Sequence, residues 1–216
     1  MAAMGTPEQA MRAPVVEVRR TSQRMAWALW IVVSVIGAVV AALIAWQVRS
    51  LFLRGPAFSS QGASYAGTVV EALVASGAQW LVWRHYRFAV DWWVPVTVAA
   101  NLLNAIIVIP SVLNLAEGAG MISPTPAMVA GATALATAGL VVGTAQALVL
   151  RGPAGKTAWV WVPATIIGGA FAGGITIVVS AQLFGLPYVV FLTVVTAIGA
   201  LLTAASQAPV FQRLLR

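Results

Sequence analysis

The chain has 216 residues, of which 61% are hydrophobic and 8% charged, with a formal net charge of +7 and no cysteine. Its mean hydropathy of +0.93 lies outside the range of soluble globular domains and defines an integral membrane protein. The absence of cysteine excludes disulfides, thiolate metal centres and cysteine nucleophiles.

A helix needs roughly 20 apolar residues to cross a hydrocarbon core of about 30 Å, and continuous apolar runs mark helices where alternating ones would mark barrel strands. The runs predict an all-α polytopic fold. Residues 1–24 form a cytoplasmic tail, and 25–209 form the membrane domain. The first span covers about 25–48; its apolar run is too long for the core of a cleaved signal peptide, so it reads as an uncleaved anchor. Further spans follow at about 63–82, 92–113, 127–150, 158–183 and 188–208, which makes six transmembrane helices. Charges and turn residues separate them: Arg54, Gly55 and Pro56, then the segments 84–91, 117–126, 151–156 and 185–187. Residues 210–216 form a second cytoplasmic tail.

Orientation follows from the basic residues, which cytoplasmic loops retain. Arg12, Arg19, Arg20, Arg24, Arg84, Arg87, Arg151, Lys156, Arg213 and Arg216 fall on one side, and only Arg49 and Arg54 on the other. Both termini are therefore expected in the cytoplasm. Trp27, Trp30, Trp80, Trp83, Trp92, Trp93, Trp159 and Trp161 map to the same side and read as an interfacial belt, with Trp46 opposite. The basic residues flank helix ends and do not cluster on a soluble surface, so the expected contact is membrane lipid and not nucleic acid.

Two stretches repeat. SGAQWLVWR at 76–84 aligns with GTAQALVLR at 143–151, placing Gln79 on Gln146 and Arg84 on Arg151. WVPVT at 93–97 aligns with WVPAT at 161–165. A third copy is split across the termini, where Gln207 and Arg213 end the sixth span and WIVVSVIG at 30–37 opens the first. Trp30, Trp93 and Trp161 then correspond, as do Ser34, Thr97 and Thr165. Three two-helix repeats of one orientation imply an approximate threefold axis along the membrane normal.

Small residues lie seven and three positions before each glutamine: Ala72 and Ser76, Gly139 and Gly143, Ala200 and Ala204. Such faces let helix backbones approach closely, and a terminal glutamine can bond across to a neighbour. Gln79, Gln146 and Gln207 are read as interhelical structural groups, with the hydroxyls or first-turn carbonyls of the Ser34, Thr97 and Thr165 helices as partners. A ring of three glutamine ligands around a pore is the sharper alternative. The small-xxx-small-xx-Gln-Trp-Leu-Val-x-Arg run and its WVPxT sequel resemble repeats of uncharacterised bacterial multi-span membrane proteins. The resemblance covers most of spans two to six, departing at Ala147 and at Pro209. It implies the architecture and the bacterial cytoplasmic membrane, and it carries no activity or site residue.

Glu71 lies within the second span, and its counterparts in the other copies are small residues. An intramembrane carboxyl is a functional-site candidate by default; the alternative is a protonated carboxyl bonded to an asparagine that only packs the hairpin. Depth matching along an antiparallel hairpin brings it level with Asn101 and Asn104, which share one face of the third span. Glu71, Asn101 and Asn104 form the expected intramembrane polar cluster. His85, in the turn after the second span, is the single histidine, so a paired-histidine haem site within the chain is excluded. Thr193, Thr196, Thr203 and Ser206, like Gly169 and Gly173, read as packing-face residues. No nucleotide, metal or catalytic motif is present, so the cofactor is left open and no catalytic residue is assigned.

The expected function is a non-catalytic scaffold, accessory or assembly subunit that binds other membrane helices, a second copy of itself or a hydrophobic cofactor. The alternative is a small transporter or channel that uses the Glu71 cluster. A membrane enzyme would need more titratable groups than Glu71, Asp91 and His85 provide.

Overall fold

The computed structural model describes residues 7–54, 59–118 and 124–215, and among them every regular element is helical. Residues 1–6 of the first expected tail, Arg216 of the second and parts of two connections lie outside the described residues. Helix α1 runs Pro7–Arg54, α2 Ser60–His85 and α3 Trp93–Leu103. A π-helical turn, Asn104–Val108, joins α3 to α4, Ile109–Gly118. Then come α5, Pro124–Ala154, a 3-10 turn, Gly155–Val160, α6, Trp161–Gln182, and α7, Tyr188–Leu214.

Local chemistry explains the boundaries. Ser59 caps α2, its hydroxyl accepting the Gly62 N–H at 3.1 Å. Pro110 has no N–H to offer the carbonyl one turn back, and the turn before it widens so that the Ile109 N–H reaches the Asn104 carbonyl. Gly155, at φ +58°, releases α5 into the 3-10 turn, and Gly185, at φ +99°, reverses the chain before α7.

Among the described residues, four stretches are long and apolar enough to cross a membrane: Met25–Arg54, Trp93–Val112, Pro126–Gln182 and Tyr188–Leu214. The third contains both α5 and α6. The division into six spans is thus met in part. Helix α2 falls outside this set because Glu71, Gln79 and several Ser, Thr and Gly residues dilute its apolar run. Helix α1 also continues past the expected end of the first span, which puts Arg49 on the helix and not in a connection.

Neighbouring helices pack antiparallel. On α2, a methyl added at Gly37 of α1 would meet Ala78 Cβ at 2.7 Å, and toward the other end of α1 the Arg49 side chain crosses over Gly67. On α5 and α6 the approach is closer still: a methyl at Gly139 would lie 2.6 Å from the Thr165 carbonyl oxygen, and one at Gly173 would collide with the Gly131 carbonyl. Ser206 of α7 donates to the Ala164 carbonyl of α6 at 2.8 Å. The α3–α4 rod lies between α2 and α5, and α7 returns to α1, with Trp46 and Tyr188 ring centroids 5.9 Å apart near one end. The helices close into a ring in chain order. Large apolar side chains such as Val32, Ile36, Leu73, Leu140, Ile167, Phe171 and Leu201 face outward and are exposed.

Candidate functional site

The ring encloses a floor, a girdle and a chamber. Trp30, midway along α1, and Trp93 and Trp161, which open α3 and α6, converge on the axis, all at 0% exposure. Their ring centroids form a triangle with sides of 6.4, 5.4 and 5.9 Å. The C-terminal parts of α2, α5 and α7 add Trp83, Leu150 and Phe211, also at 0%. Trp83 lies 4.7 Å from Phe211, and Trp30 stacks on Phe211 at 4.8 Å. Each of these three residues stands four positions after a glutamine, so the same helical face that carries the amide carries the plug. Tyr86 abuts Phe211 at 5.8 Å, and partial burial pushes its phenol above the ordinary tyrosine range.

This arrangement corrects the reading of the tryptophans. Trp30, Trp83, Trp93 and Trp161 do not face headgroups; they fill the axis, while Trp27, Trp92 and Trp159 remain exposed. Sequence position gives the depth of a tryptophan but not its side of the helix; the repeat aligned Trp30, Trp93 and Trp161 without showing which way they turn, and it did not mark Trp83.

Above the floor lie the three glutamines. Gln79 Nε2 donates to Ser34 Oγ at 3.4 Å, Gln146 Nε2 to Thr97 Oγ1 at 3.1 Å, and Gln207 Nε2 to Thr165 Oγ1 at 3.1 Å. These are the glutamine and hydroxyl positions aligned in the sequence, joined in pairs across helix interfaces. Trp161 Nε1 also donates to Gln146 Oε1 at 2.8 Å. The Nε1 groups of Trp30, Trp83 and Trp93 and the Oε1 of Gln207 are buried without a partner.

Beyond the girdle opens a chamber of about 340 Å³. Glu71, Asn101 and Asn104 line it together with Gln79, Gln146 and Gln207, and its walls include Ala72, Ala105, Ile109, Leu135 and Val142. The expected polar residues therefore share one cavity, but hydrogen bonds do not link them to one another. Asn101 Nδ2 donates to the Thr97 carbonyl at 2.8 Å, and Asn104 Nδ2 to the Ala138 carbonyl of α5 at 3.1 Å. Glu71 instead pairs with Arg49 at 3.3 Å. That partner was missed because the sequence assigned Arg49 to a connection. Gly67 is what permits it, since a side chain there would occupy the path of the arginine.

The remaining candidates lie elsewhere. His85 contacts Tyr86 edge-on at 5.0 Å, beside the floor and outside the chamber lining. Thr193 and Thr203 donate back to carbonyls of their own helix. Gly169 and Gly173 sit against the α5 backbone. Among the described residues no three histidine, aspartate or glutamate side chains gather into a metal-binding group. No protein family, curated protein or solved structure matches the chain.

Proposed function

We propose that the chain is a non-catalytic integral membrane protein, a scaffold, accessory or assembly subunit whose one-ended chamber and apolar exterior bind other membrane helices, a second copy or a hydrophobic cofactor. The observation that carries this reading is the aromatic floor: six side chains from six helical rods fill the axis at one end, all at 0% exposure, so the chamber is a dead end and not a conduit. The proposal includes six spans, made of three two-helix repeats about a threefold axis with one repeat split across the termini. The three matching glutamine–hydroxyl bonds and the tryptophan triangle support it. Arg84, Arg151 and Arg213 follow Trp83, Leu150 and Phe211 closely, and the positive-inside bias of these residues supports a floor at the cytoplasmic side and a chamber that opens outward. The proposal places the protein in a bacterial cytoplasmic membrane with both termini inside, a reading that the positive-inside bias and the resemblance noted above support.

One observation favours the transporter or channel reading: Glu71, which lines the chamber, forms an ion pair with Arg49. Reconstitution separates the two. Proteoliposomes should carry no proton or cation flux above empty vesicles, and protein extracted in mild detergent should migrate with a further chain, a second copy or a lipophilic molecule by native mass spectrometry. A flux that Glu71→Gln abolishes would overturn the scaffold reading.

A further inference from the structure

We infer that the chamber is a binding site for a small alkylammonium ion. Among the side chains that line it, the buried atoms left without any partner are two amide oxygens, those of Asn104 and Gln207. Asn104 is 3% exposed, and its Nδ2 is committed to the Ala138 carbonyl. Only an amide N–H can donate to a carbonyl, so the orientation of the side chain is settled and the buried atom left without a partner, Oδ1, is an acceptor. Asn101, one turn earlier, donates one amide N–H to the Thr97 carbonyl, and its oxygen is left as an acceptor beside the second N–H. Gln207, also 3% exposed, donates through Nε2 to Thr165 Oγ1, whose own proton goes to the Trp161 carbonyl; its unpartnered buried atom is again an oxygen. Glu71 adds a carboxylate that Arg49 engages through one contact at 3.3 Å, leaving the second oxygen uncommitted.

Acceptor oxygens without donors, in a polar site walled by Ala72, Ala105, Ile109, Leu135 and Val142, call for a ligand that brings N–H groups, positive charge and a short apolar body. An ammonium head supplies three donors to Glu71, Asn101 and Asn104, and its alkyl chain lies on the alanine and valine wall. A cavity of about 340 Å³ is larger than a bare ion needs and suits a molecule of this size. The π-helical turn contributes by widening the helix at the Asn104 carbonyl, a distortion that recurs at functional sites.

The inference rests on the dead-end chamber proposed above, and the two can fail separately: flux through proteoliposomes defeats the chamber, whereas a non-conducting protein that ignores ammonium defeats only the ligand. The test is calorimetric titration of the purified full chain in detergent with n-butylammonium, n-butanol, tetramethylammonium and sodium as chloride salts or neat alcohol. Saturable binding of n-butylammonium is expected. Tetramethylammonium has the charge without the N–H groups, n-butanol has a donor without the charge, and both should bind at least about tenfold more weakly, because charge-assisted hydrogen bonds need both features. Glu71→Gln keeps the side-chain shape at a part-exposed position and should weaken n-butylammonium by about tenfold or more. No saturable heat from n-butylammonium, equal binding of n-butanol or tetramethylammonium, or an unchanged affinity in Glu71→Gln would each overturn the assignment.

Discussion

Trp161 Nε1 donates to Gln146 Oε1 at 2.8 Å, and both side chains are buried where α5 and α6 meet. The same glutamine donates onward to Thr97 of α3, so one amide ties three helices together at the boundary between floor and chamber. An apolar replacement leaves an indole N–H and a hydroxyl without partners in a place water does not supply.

Gln146→Leu should therefore lower the thermal stability of the detergent-solubilised protein most among the three glutamines, by about 2 kcal/mol. Gln207→Leu removes one bond at 3.1 Å and Gln79→Leu one at 3.4 Å, so the order of loss should be Gln146, Gln207, Gln79. Gln61→Leu, which changes an exposed contact to Tyr65, is the control and should be nearly silent. Equal melting shifts for Gln146→Leu and Gln61→Leu would remove the structural role.

The floor makes a second prediction. Trp161→Ala takes out a fully buried ring and a hydrogen bond and should cost about 3–5 kcal/mol. Leu150→Trp tests the opposite limit. Leu150 is the smallest of its layer beside Trp83 and Phe211, and enlarging it should destabilise by about 1–3 kcal/mol, because the axis has no room for a further ring. Circular dichroism melts in detergent read both, and tolerance of Leu150→Trp would show that the axis is not filled.

Two glycines should respond with opposite signs. A methyl at Gly173 runs into the Gly131 carbonyl of α5, so Gly173→Ala should separate α5 from α6 and destabilise by about 1–3 kcal/mol. Nothing lies within 4 Å of the corresponding position at Gly77, and Gly77→Ala should gain about 0.5–1 kcal/mol from helix propensity. Thermal unfolding of the two single variants side by side decides it; a common sign would contradict the packing.

The topology is tested by labelling, which the natural lack of cysteine makes clean. Ser59→Cys should react with an impermeant thiol reagent added outside intact cells. Ala89→Cys and Gly155→Cys, in the turns at the floor end, should react only after the membrane is opened. Reaction of all three from one side would end the six-span arrangement.

Several features were legible in residue order because they are local. Apolar runs, proline and glycine breaks and the charge bias mark helices and their ends, and helix formation depends on neighbours three and four residues away. The repeated glutamine and its small-residue face were legible for the same reason, and Gly139 meets the Thr165 backbone where that face predicts close approach. Glu71, Asn101 and Asn104 could be brought to one depth, since depth along a helix is counted in residues. Azimuth could not. Which way Trp30, Trp83, Trp93 and Trp161 turn depends on how α1, α2, α3 and α6 are rotated in the ring, so the tertiary structure alone converted an expected belt into a floor. It likewise decided that Glu71 pairs with Arg49: α1 continues through Arg54, past the expected end of the first span at about 48, and Gly67 opens the path for the arginine. Hydropathy ends a span where charge begins, whereas the backbone hydrogen bonds of a helix continue through charged residues, and the difference between those two criteria is where the ion pair lay hidden.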